Sequence, residues 1–478
     1  MEAIEKLHIS TARALLDEGK ITAVDLAQAY QKRAQEHNGE LNAYLEIFGD
    51  VITQAERADR MIASGDVHPL TGIPLIIKDN ILIKGHIASG ASKILENYVA
   101  SYDAHVIENL KKQGAIFLGR ANMDEFAMGS STENSAFGVT KNPHDLERIP
   151  GGSSGGSAAG VSGDLAIAGL GTDTGGSIRQ PASLCGLVGY KPTYGAVSRY
   201  GAMAMGSSLD QIGPLAKTVD DAQILFEVIR GHDTRDATSL PDDVFGSARE
   251  VKRIGVPRHF LREGIDADVL AIFEQRIEEL KERGYDIVDI ELPNITYALA
   301  AYYIIMPAEV STNLARYDGM RYGVATPGKD LLSDYTQTRG NGFGPESRRR
   351  ILLGSFVLSS GYADAYYRKA TAVRNQIASD FKKVFESVDV IATPTSPTPA
   401  FKIGERSDDP LNMYAADIFT VPVNLTGVPA ISIPMGTVDR KGSALPVGMQ
   451  FIAPQREDES LFSIGRDFET IVTTAYAQ

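Results

Sequence analysis

The chain has 478 residues, 43% of them hydrophobic and 23% charged, which is the composition of an ordinary globular protein. Its formal net charge of −14 argues against direct binding of nucleic acid, because phosphate contacts need clustered lysine and arginine. The single cysteine, Cys185, excludes an intrachain disulfide and argues against a cysteine-rich zinc site; we expect a small buried side chain. No apolar run is long enough to cross a bilayer, and we expect a cytoplasmic protein without membrane contacts.

The first part of the chain, residues 1–70, is predicted to be helical. Apolar side chains recur at helical spacing over 23–36 and over 50–63, with charged residues on the opposite face. Further on, residues 73–77 and 115–118 have the pattern of buried strands separated by a helix. This alternation predicts an α/β fold with a central sheet covered by helices on both faces.

The core of the predicted domain, about 71–213, becomes dense in glycine, serine and threonine towards its end. Small residues there indicate close approach of backbone to backbone or to a ligand. The polar segment 231–250 is a possible linker or insertion, and a charged helix over 268–283 and a strand over 285–290 follow it. No internal repeat divides the chain, so we expect one large domain, residues 1–478.

Two glycine-rich loops each contain a serine that is a candidate nucleophile. The first reads PGGSSGGS at 150–157 and contains Ser153; the second reads GTDTGGSIR at 171–179 and contains Ser177. A serine hydroxyl needs a base to become a nucleophile, and glycine-rich backbone can aim N–H groups at a developing oxyanion. The pair of loops therefore predicts amide chemistry on a serine.

Other interpretations of these loops are weaker. The glycines flanking Ser153 match the nucleophile elbow of α/β-hydrolases, but that motif needs a strand before the serine and a histidine after it. Residues 142–150 read as a loop. Only two histidines, His232 and His259, follow the serines, and none lies in the rest of the chain. The first loop also lacks a phosphate-binding lysine, because Ser157 stands at that position.

The remaining candidate base is Lys78, which follows four apolar residues at the end of a predicted strand. A lysine accepts a proton near neutral pH only if burial or a nearby cation lowers its pKa. A bridging serine hydroxyl, both donor and acceptor, could relay the proton between the nucleophile and this lysine. The alternative, a structural ion pair of Lys78 with Asp79 or Asp173, is equally compatible with the spacing alone.

The two loops together resemble the amidase signature family, whose members use a Ser–cis-Ser–Lys triad. The resemblance implies that Ser177 is the acyl-forming nucleophile, that Ser153 is the bridging serine at a cis peptide bond, and that Lys78 is the base. It implies an oxyanion hole made of four backbone N–H groups, those of Thr174, Gly175, Gly176 and Ser177.

Within this family, several segments resemble the A subunits of aspartyl/glutamyl-tRNA amidotransferases. They are NMDEFAMGSSTE at 122–133, NLARYDG at 313–319 and VPVNLTG at 421–427. The resemblance, which extends from the first helices to the end of the chain, implies hydrolysis of glutamine and transfer of ammonia to a partner. It also implies that subunits B and C are the partners, that the misacylated tRNA is held by a partner, and that ATP and Mg²⁺ are used there. No cofactor and no metal are expected in this chain.

Three further positions match the family's glutamine pocket: Tyr302, Arg350 and Asp417. Arg350 offers a planar fork for the α-carboxylate of glutamine, and Asp417 offers an anion for the α-ammonium group. Without the resemblance, Arg350 would be read as part of a solvated face formed by three consecutive arginines. Two rival interpretations are a free-standing amidase that acts on a small or aryl amide, and a non-catalytic scaffold.

Overall fold

The computed structural model describes residues 7–246, 248–261, 264–406 and 409–477. Within these ranges the chain forms fifteen α-helices: α1 (Ile9–Asp17), α2 (Ala23–Leu41), α3 (Val51–Ser64), α4 (His105–Lys112), α5 (Gly155–Ser162), α6 (Arg179–Leu184), α7 (Val219–Ile229), α8 (Ala267–Glu282), α9 (Ala298–Asn313), α10 (Leu331–Gly342), α11 (Pro345–Val357), α12 (Lys369–Val384), α13 (Pro410–Ala415), α14 (Val421–Thr426) and α15 (Asp458–Ala477).

Eleven strands of the described residues form one mixed sheet: β1 (Tyr44–Ile47), β2 (Pro74–Lys78), β3 (Ile116–Ala121), β4 (Ala168–Asp173), β5 (Val188–Lys191), β6 (Gln211–Ala216), β7 (Arg253–Val256), β8 (Asp286–Asp289), β9 (Val390–Pro394), β10 (Ala430–Arg440) and β11 (Ser443–Ile452). Their spatial order is β1-β3-β2-β4-β6-β5-β10-β11-β9-β7-β8. Strand β2 is parallel to β3 and β4, and β7 is parallel to β8 and β9. All other neighbouring pairs are antiparallel.

The centre of the sheet is buried on both sides. Every residue of β2, β4 and β6 is buried, as expected for strands covered by helices on both faces. Helix α5 packs against β2 and β4, α6 packs against β5, β10 and β11, and α15 packs against β10. The predicted α/β class with a mixed, doubly covered central sheet is therefore confirmed.

Local sequence signals explain the first helices. Helix α2 begins with a capping box, in which the Thr22 side chain accepts a hydrogen bond from the Asp25 amide at 3.0 Å and Asp25 caps the Thr22 amide at 3.0 Å. Helices α2 and α3 lie where helical periodicity predicts them. Strand β1, a short edge strand paired with β3, was not predicted. Residues 1–6 of the predicted helical segment lie outside the described residues.

The segment 231–250 contains no α-helix and no strand among its described residues, only a short 3₁₀ turn at Asp242–Val244. The strands before and after it belong to the same sheet. The division of the chain into a helical start, a core and an insertion stays a prediction. In the part of the chain that the structure describes, no helix has the length and apolar character needed to cross a membrane.

Candidate active site

Lys78 is the last residue of strand β2, and its side chain has no exposed surface. Its Nζ atom lies 2.7 Å from Ser153 Oγ, 2.8 Å from Ser154 Oγ and 2.9 Å from Thr172 Oγ1. Thr172 belongs to β4, the parallel neighbour of β2. The sheet register therefore brings the predicted base to the predicted bridging serine.

The surroundings of Lys78 favour a neutral amine. Burial lowers its pKa to about 7, because water that would solvate the charged form is excluded. Three buried aspartates act in the opposite direction without restoring the ordinary value: Asp124, Asp173 and Asp210. A lysine with this pKa can accept a proton near neutral pH.

The alternative of a structural ion pair is not what the structure shows. Asp79 pairs with Arg120 at 3.1 Å, and Asp173 pairs with Arg179 at 2.9 Å. No carboxylate in the described part of the chain lies within ion-pair distance of Lys78. Its partners at hydrogen-bond distance are oxygen atoms of neutral groups.

Ser154 and Thr172 orient the Lys78 amine, a role that sequence reasoning missed. Ser154 donates its hydroxyl hydrogen to the Thr172 carbonyl oxygen at 3.2 Å, so towards Nζ it acts as an acceptor. Thr172 Oγ1 also accepts from Asn80 Nδ2 at 3.0 Å. If these two hydroxyls take the two hydrogens of a neutral amine, its lone pair faces Ser153. The only available signal was that Ser154 directly follows Ser153.

The first loop holds Ser153 through glycines that approach other groups closely. The peptide bond between Gly152 and Ser153 is cis, and Gly151 has a φ of +84°, a conformation that favours glycine. A Cβ atom on Gly152 would lie 2.2 Å from Asp124 Oδ2. The Gly152 amide donates to Gln180 Oε1 at 2.9 Å. Neither glycine tolerates a larger residue in this geometry.

The turn that carries Ser177 is organised by Asp173, the last residue of β4. Asp173 accepts hydrogen bonds from the Gly176 amide and from Nε and Nη2 of Arg179, each at 2.9 Å. Burial alone would raise the pKa of Asp173, but the Arg179 guanidinium lowers it to about 2. Arg179 has no exposed surface, so this ion pair is a buried, bidentate anchor for the turn.

Three of the four predicted oxyanion-hole amides are available. Within the described residues, the backbone N–H groups of Thr174, Gly175 and Ser177 donate no hydrogen bond. The fourth differs from the expectation, because the Gly176 amide is already bound to the Asp173 carboxylate. The turn thus offers three backbone N–H donors within residues 174–177, and three are enough to hold one oxyanion.

Ser177 is the most exposed member of the predicted triad, with 8% of its surface accessible against 0% for Ser153 and Lys78. The Ser154 amide donates to the Ser177 carbonyl oxygen at 3.2 Å, which fixes the two loops to each other. The Ser177 hydroxyl has no hydrogen-bond partner among the described residues. The exposure of Ser177 suits a nucleophile, which must meet the substrate, and the burial of Ser153 and Lys78 suits a proton relay.

The side chain of Arg350 is buried, unlike those of the two arginines before it, so the three arginines do not form one solvated face. Arg348 and Arg349 are exposed, whereas Arg350 is 4% exposed on helix α11. Its Nε atom donates to Glu346 Oε1 at 2.6 Å, one helical turn earlier. Glu346 was not predicted as a site residue, although its i,i+4 spacing to Arg350 was a usable signal.

The two Nη atoms of Arg350 donate no hydrogen bond to an oxygen atom of the described residues. Nη1 contacts the Met306 sulfur at 3.6 Å, and Nη2 has no acceptor among the described residues. A cavity of about 270 Å³ adjoins Arg350, Glu346 and Ser131. The edge of the guanidinium that Glu346 leaves free remains available for a planar anion.

Asp417 is linked through Ser130 and Gln180 to the first glycine-rich loop, and Tyr302 contacts the second loop at Gly175. Asp417 is buried and accepts a hydrogen bond from Ser130 Oγ at 2.6 Å, and burial raises its pKa to about 7. The Ser130 carbonyl in turn accepts from Gln180, which also holds the first glycine-rich loop. The Tyr302 hydroxyl packs against Gly175, where an added Cβ would be 2.6 Å from it. Neither residue lines the cavity beside Arg350.

Two expectations about neighbouring groups are confirmed. Cys185 is buried, its thiol donates to the Pro150 carbonyl at 3.3 Å, and burial raises its pKa, so it is no thiolate nucleophile. Residues 142–150 form turns and isolated bridges rather than the strand that a nucleophile elbow requires. In the described ranges, no group of three or more histidine, cysteine, aspartate or glutamate side chains is arranged to hold a metal ion.

Several known proteins similar to this chain are A subunits of glutamyl-tRNA(Gln) amidotransferases. The A subunit of the glutamyl-tRNA(Gln) amidotransferase from Thermoanaerobacter pseudethanolicus is 52% identical over 471 residues, covering 97% of this chain and 96% of the relative. Its counterpart from Thermodesulfovibrio yellowstonii is 50% identical, covering 98% and 97%. Among solved structures, that of the A subunit of the Thermotoga maritima glutamyl-tRNA(Gln) amidotransferase is similar with a TM-score of 0.82 and 42% identity, over 98% of this chain and 96% of the other.

A more distant solved structure has the same fold. The peptide amidase from Stenotrophomonas maltophilia is 28% identical with a TM-score of 0.80, over 98% of this chain and 97% of the other. The model of the amidase family matches residues 25–462, which is most of the sequence. The chain therefore belongs to the amidase family.

Proposed function

We propose that this chain is the glutamine-hydrolysing subunit of a tRNA-dependent amidotransferase, with Ser177 as nucleophile, Ser153 as relay and Lys78 as base. The observation that carries the chemistry is the buried lysine, with a pKa lowered to about 7 and Nζ 2.7 Å from Ser153 Oγ. The observation that carries the assignment within the family is 52% identity, over nearly the whole of both chains, to the A subunit of a glutamyl-tRNA(Gln) amidotransferase.

The reaction begins with attack of Ser177 Oγ on the side-chain carbonyl carbon of glutamine. As the O–C bond forms, the Ser177 proton passes to Ser153 Oγ, and the Ser153 proton passes to the neutral Lys78 amine. The carbonyl oxygen becomes an oxyanion held by the free amides of Thr174, Gly175 and Ser177. Two proton transfers thus place the positive charge on Lys78.

Collapse of the tetrahedral intermediate breaks the C–N bond. The leaving nitrogen takes a proton from Ser153, which takes one back from the Lys78 ammonium group, and ammonia departs. Water then attacks the acyl group on Ser177 through the same relay, releasing glutamate and restoring the neutral lysine. The relay therefore acts twice in each turnover without net change.

Arg350 and Asp417 recognise glutamine as an amino acid through its two charged groups. Arg350 is oriented by Glu346 and presents its free edge to the α-carboxylate, while Asp417 receives the α-ammonium group. Binding of that cation favours the ionised form of Asp417, whose pKa is raised by burial in the empty site. Tyr302, packed against Gly175, donates its hydroxyl to the substrate.

The relatives' names and the charge of this chain support a proposal for the assembly. Subunits B and C are the partners, and ammonia passes to a partner that uses ATP and Mg²⁺ to activate Glu-tRNA(Gln) or Asp-tRNA(Asn). A net charge of −14 agrees with a tRNA held by another polypeptide of the complex. We place this complex in the cytoplasm and assign no cofactor to this chain.

Labelling with an electrophilic glutamine analogue, followed by mass spectrometry of proteolytic peptides, tests the catalytic assignment. The analogue should modify Ser177, and an excess of glutamine should protect it. A label on Ser153 or on Cys185 would contradict the assignment. The Ser153→Ala variant should lose labelling although Ser177 is present, because the relay to Lys78 is broken.

A free-standing amidase remains the second candidate, and the likeness to the peptide amidase, at 28% identity, favours it over a scaffold. The two candidates differ in substrate. A glutaminase subunit should prefer free glutamine over a simple amide without charged groups and should co-purify with two further subunits. Preference for the simple amide, together with isolation as a single polypeptide, would favour the free amidase.

A further inference from the structure

A small cavity adjoins the hydrogen-bond network of Lys78. Its volume is about 10 Å³, room for one water-sized molecule, and its lining includes Asn80, Thr172, Asp210 and Gln211. Thr172 Oγ1 lies 2.9 Å from Lys78 Nζ, and Asn80 Nδ2 lies 3.0 Å from Thr172 Oγ1. The cavity wall is therefore continuous with the groups that orient the proposed base.

Two acceptors at this cavity have no donor. Asn80 Oδ1 and Gln211 Oε1 are buried, and neither has a hydrogen-bond partner among the described residues. The orientation of Gln211 is fixed, because its Nε2 donates at 2.6 Å to the Asp210 carbonyl, an atom that can only accept. A buried acceptor without a partner costs free energy, so a donor molecule is expected beside these two oxygens.

The third acceptor is charged. Asp210 is 8% exposed, and its carboxylate accepts from Thr174 Oγ1 at 2.7 Å and from the amides of Met205 and Gly206 at 2.9 and 3.0 Å. No lysine, arginine or histidine of the described residues lies within ion-pair distance of it. Burial raises the pKa of Asp210 to about 6, which leaves it mostly ionised at neutral pH.

Arg199 also lines the cavity, but its charge is already paired. It forms two hydrogen bonds with the Asp236 carboxylate, at 2.9 and 2.6 Å. Its Nη1 atom donates to the Tyr194 hydroxyl at 3.0 Å and to the Ser207 carbonyl. The cavity therefore combines a buried anion and two orphaned acceptors with no uncommitted cation.

We propose that this cavity is a binding site for one ammonium ion. Ammonium has four N–H donors and no acceptor, which matches the three oxygen groups, and its charge offsets that of Asp210. A water molecule has only two donors, so it would satisfy at most two of these acceptors. It would also leave the charge of the carboxylate without a counter-ion. The inference deepens the proposed function, on which it rests for the source of the ion: hydrolysis of glutamine at Ser177 releases ammonia beside the loop that also contains Thr172, and its protonated form fills the site.

Thallium(I), which resembles ammonium in size and charge and scatters anomalously, provides the direct test. Crystals of the full chain soaked in a thallium(I) salt should show an anomalous peak bounded by Asn80, Asp210 and Gln211. Adding ammonium should remove the peak at lower concentration than adding potassium, because only ammonium supplies directional N–H donors. Electron density without an anomalous signal, or displacement by potassium as effective as that by ammonium, would overturn the proposal.

A solution measurement adds a matched pair of variants. Ammonium chloride should raise the Tm of the parent more than tetramethylammonium chloride at the same ionic strength, and Gln211→Met should abolish the difference. Gln113→Met is the control, because Gln113 also has an orphaned Oε1 but lies outside this cavity. An equal response of parent and Gln211→Met would count against the site, and the thallium experiment on the parent decides the matter if that variant does not fold. Neither measurement needs turnover, so failure here is separable from failure of the glutaminase proposal.

Discussion

The catalytic loops and the proposed glutamine pocket are built in different ways. The loops are two short segments, 150–157 and 171–179, that are joined by one backbone hydrogen bond, from the Ser154 amide to the Ser177 carbonyl oxygen, and by hydrogen bonds between the Ser154 hydroxyl and the backbone of Thr172. The pocket residues Tyr302, Arg350 and Asp417 come from helix α9, helix α11 and the turn after α13. Their contacts are side chains to side chains, such as Arg350 to Glu346 and Ser130 to Asp417.

Under the proposed function, we expect this difference to separate chemistry from recognition. In the loops, we expect a small change to remove a proton-transfer step, because Ser177, Ser153 and Lys78 are each proposed to act at one point of the relay. In the pocket, we expect a change to remove a contact made with the substrate in ground state and transition state alike, which alters KM more than kcat. The variants that follow test that division, from the largest expected effect to the smallest.

Replacing the nucleophile should have the largest effect. Ser177→Ala should lower kcat for glutamine hydrolysis by about 10⁴-fold or more, as nucleophile loss does in serine hydrolases. Steady-state release of glutamate measures it. Ser157→Ala is the matched control from the neighbouring loop, since Ser157 bonds only to the Leu170 carbonyl. A Ser177→Ala enzyme within tenfold of the parent would remove this serine from the chemistry.

Replacing the base should come close to that effect. Lys78→Arg keeps the charge but supplies no neutral amine, because guanidinium does not lose its proton in proteins. We expect near-complete loss of kcat with an unchanged circular dichroism spectrum. Lys191→Arg enlarges another fully buried lysine, one that donates to the Pro192 carbonyl, and controls for the added volume. Substantial activity in Lys78→Arg would make Lys78 a structural residue.

Removing the proposed carboxylate anchor should change binding rather than chemistry. Arg350→Ala should raise KM for glutamine by an amount equivalent to about 2–5 kcal/mol, the cost of one desolvated charge pair. A simple amide without charged groups should be hydrolysed about equally by variant and parent. Arg348→Ala, which replaces an exposed neighbour that bonds to the Gly340 carbonyl, should leave KM unchanged. Equal KM values in Arg350→Ala and parent would break the division between loops and pocket.

Removing one of the hydrogen bonds that orient the Lys78 amine should have the smallest effect on kcat. Ser154→Ala removes one of the two hydroxyls that orient the amine, and we expect kcat to fall about tenfold, or about 1.4 kcal/mol, with KM unchanged. Ser154→Thr, which keeps the hydroxyl, should recover part of the activity. If both variants lost the same activity, the effect would come from packing in the loop rather than from the hydrogen bond.

Much of the fold could be predicted from the sequence, and the residues of the proposed triad could be named from it. Helices α2 and α3 have strong periodic patterns, strand β2 is a continuous apolar run, and the two loops are marked by their glycines. The four-residue strand β1 was missed because it is too short for periodicity to show. Strand β4, with the sequence AGLGTD, has one β-branched residue, Thr172, and two glycines, which make the strand pattern weak.

The rest of the site depends on contacts that sequence spacing does not encode. The amide of Gly176 was expected in the oxyanion hole, but the hydrogen bond to Asp173 exists only once the turn has formed. The partnership of Thr172 with Lys78 depends on the parallel pairing of β4 with β2. The pocket residues could be named only through resemblance, because more than a hundred residues separate Tyr302 from the catalytic loops.

The pH dependence of kcat at saturating glutamine tests the central claim, that a neutral lysine activates Ser177. Lys78 is a base only when deprotonated, and burial lowers its pKa to about 7, so kcat should be low in acid and rise with pH through about 7 to a plateau. Saturating substrate keeps Asp417 ionised by its bound ammonium group, so that residue affects KM instead. A kcat that rises only near the ordinary pKa of lysine, or that does not change between acid and alkaline pH, would contradict the account.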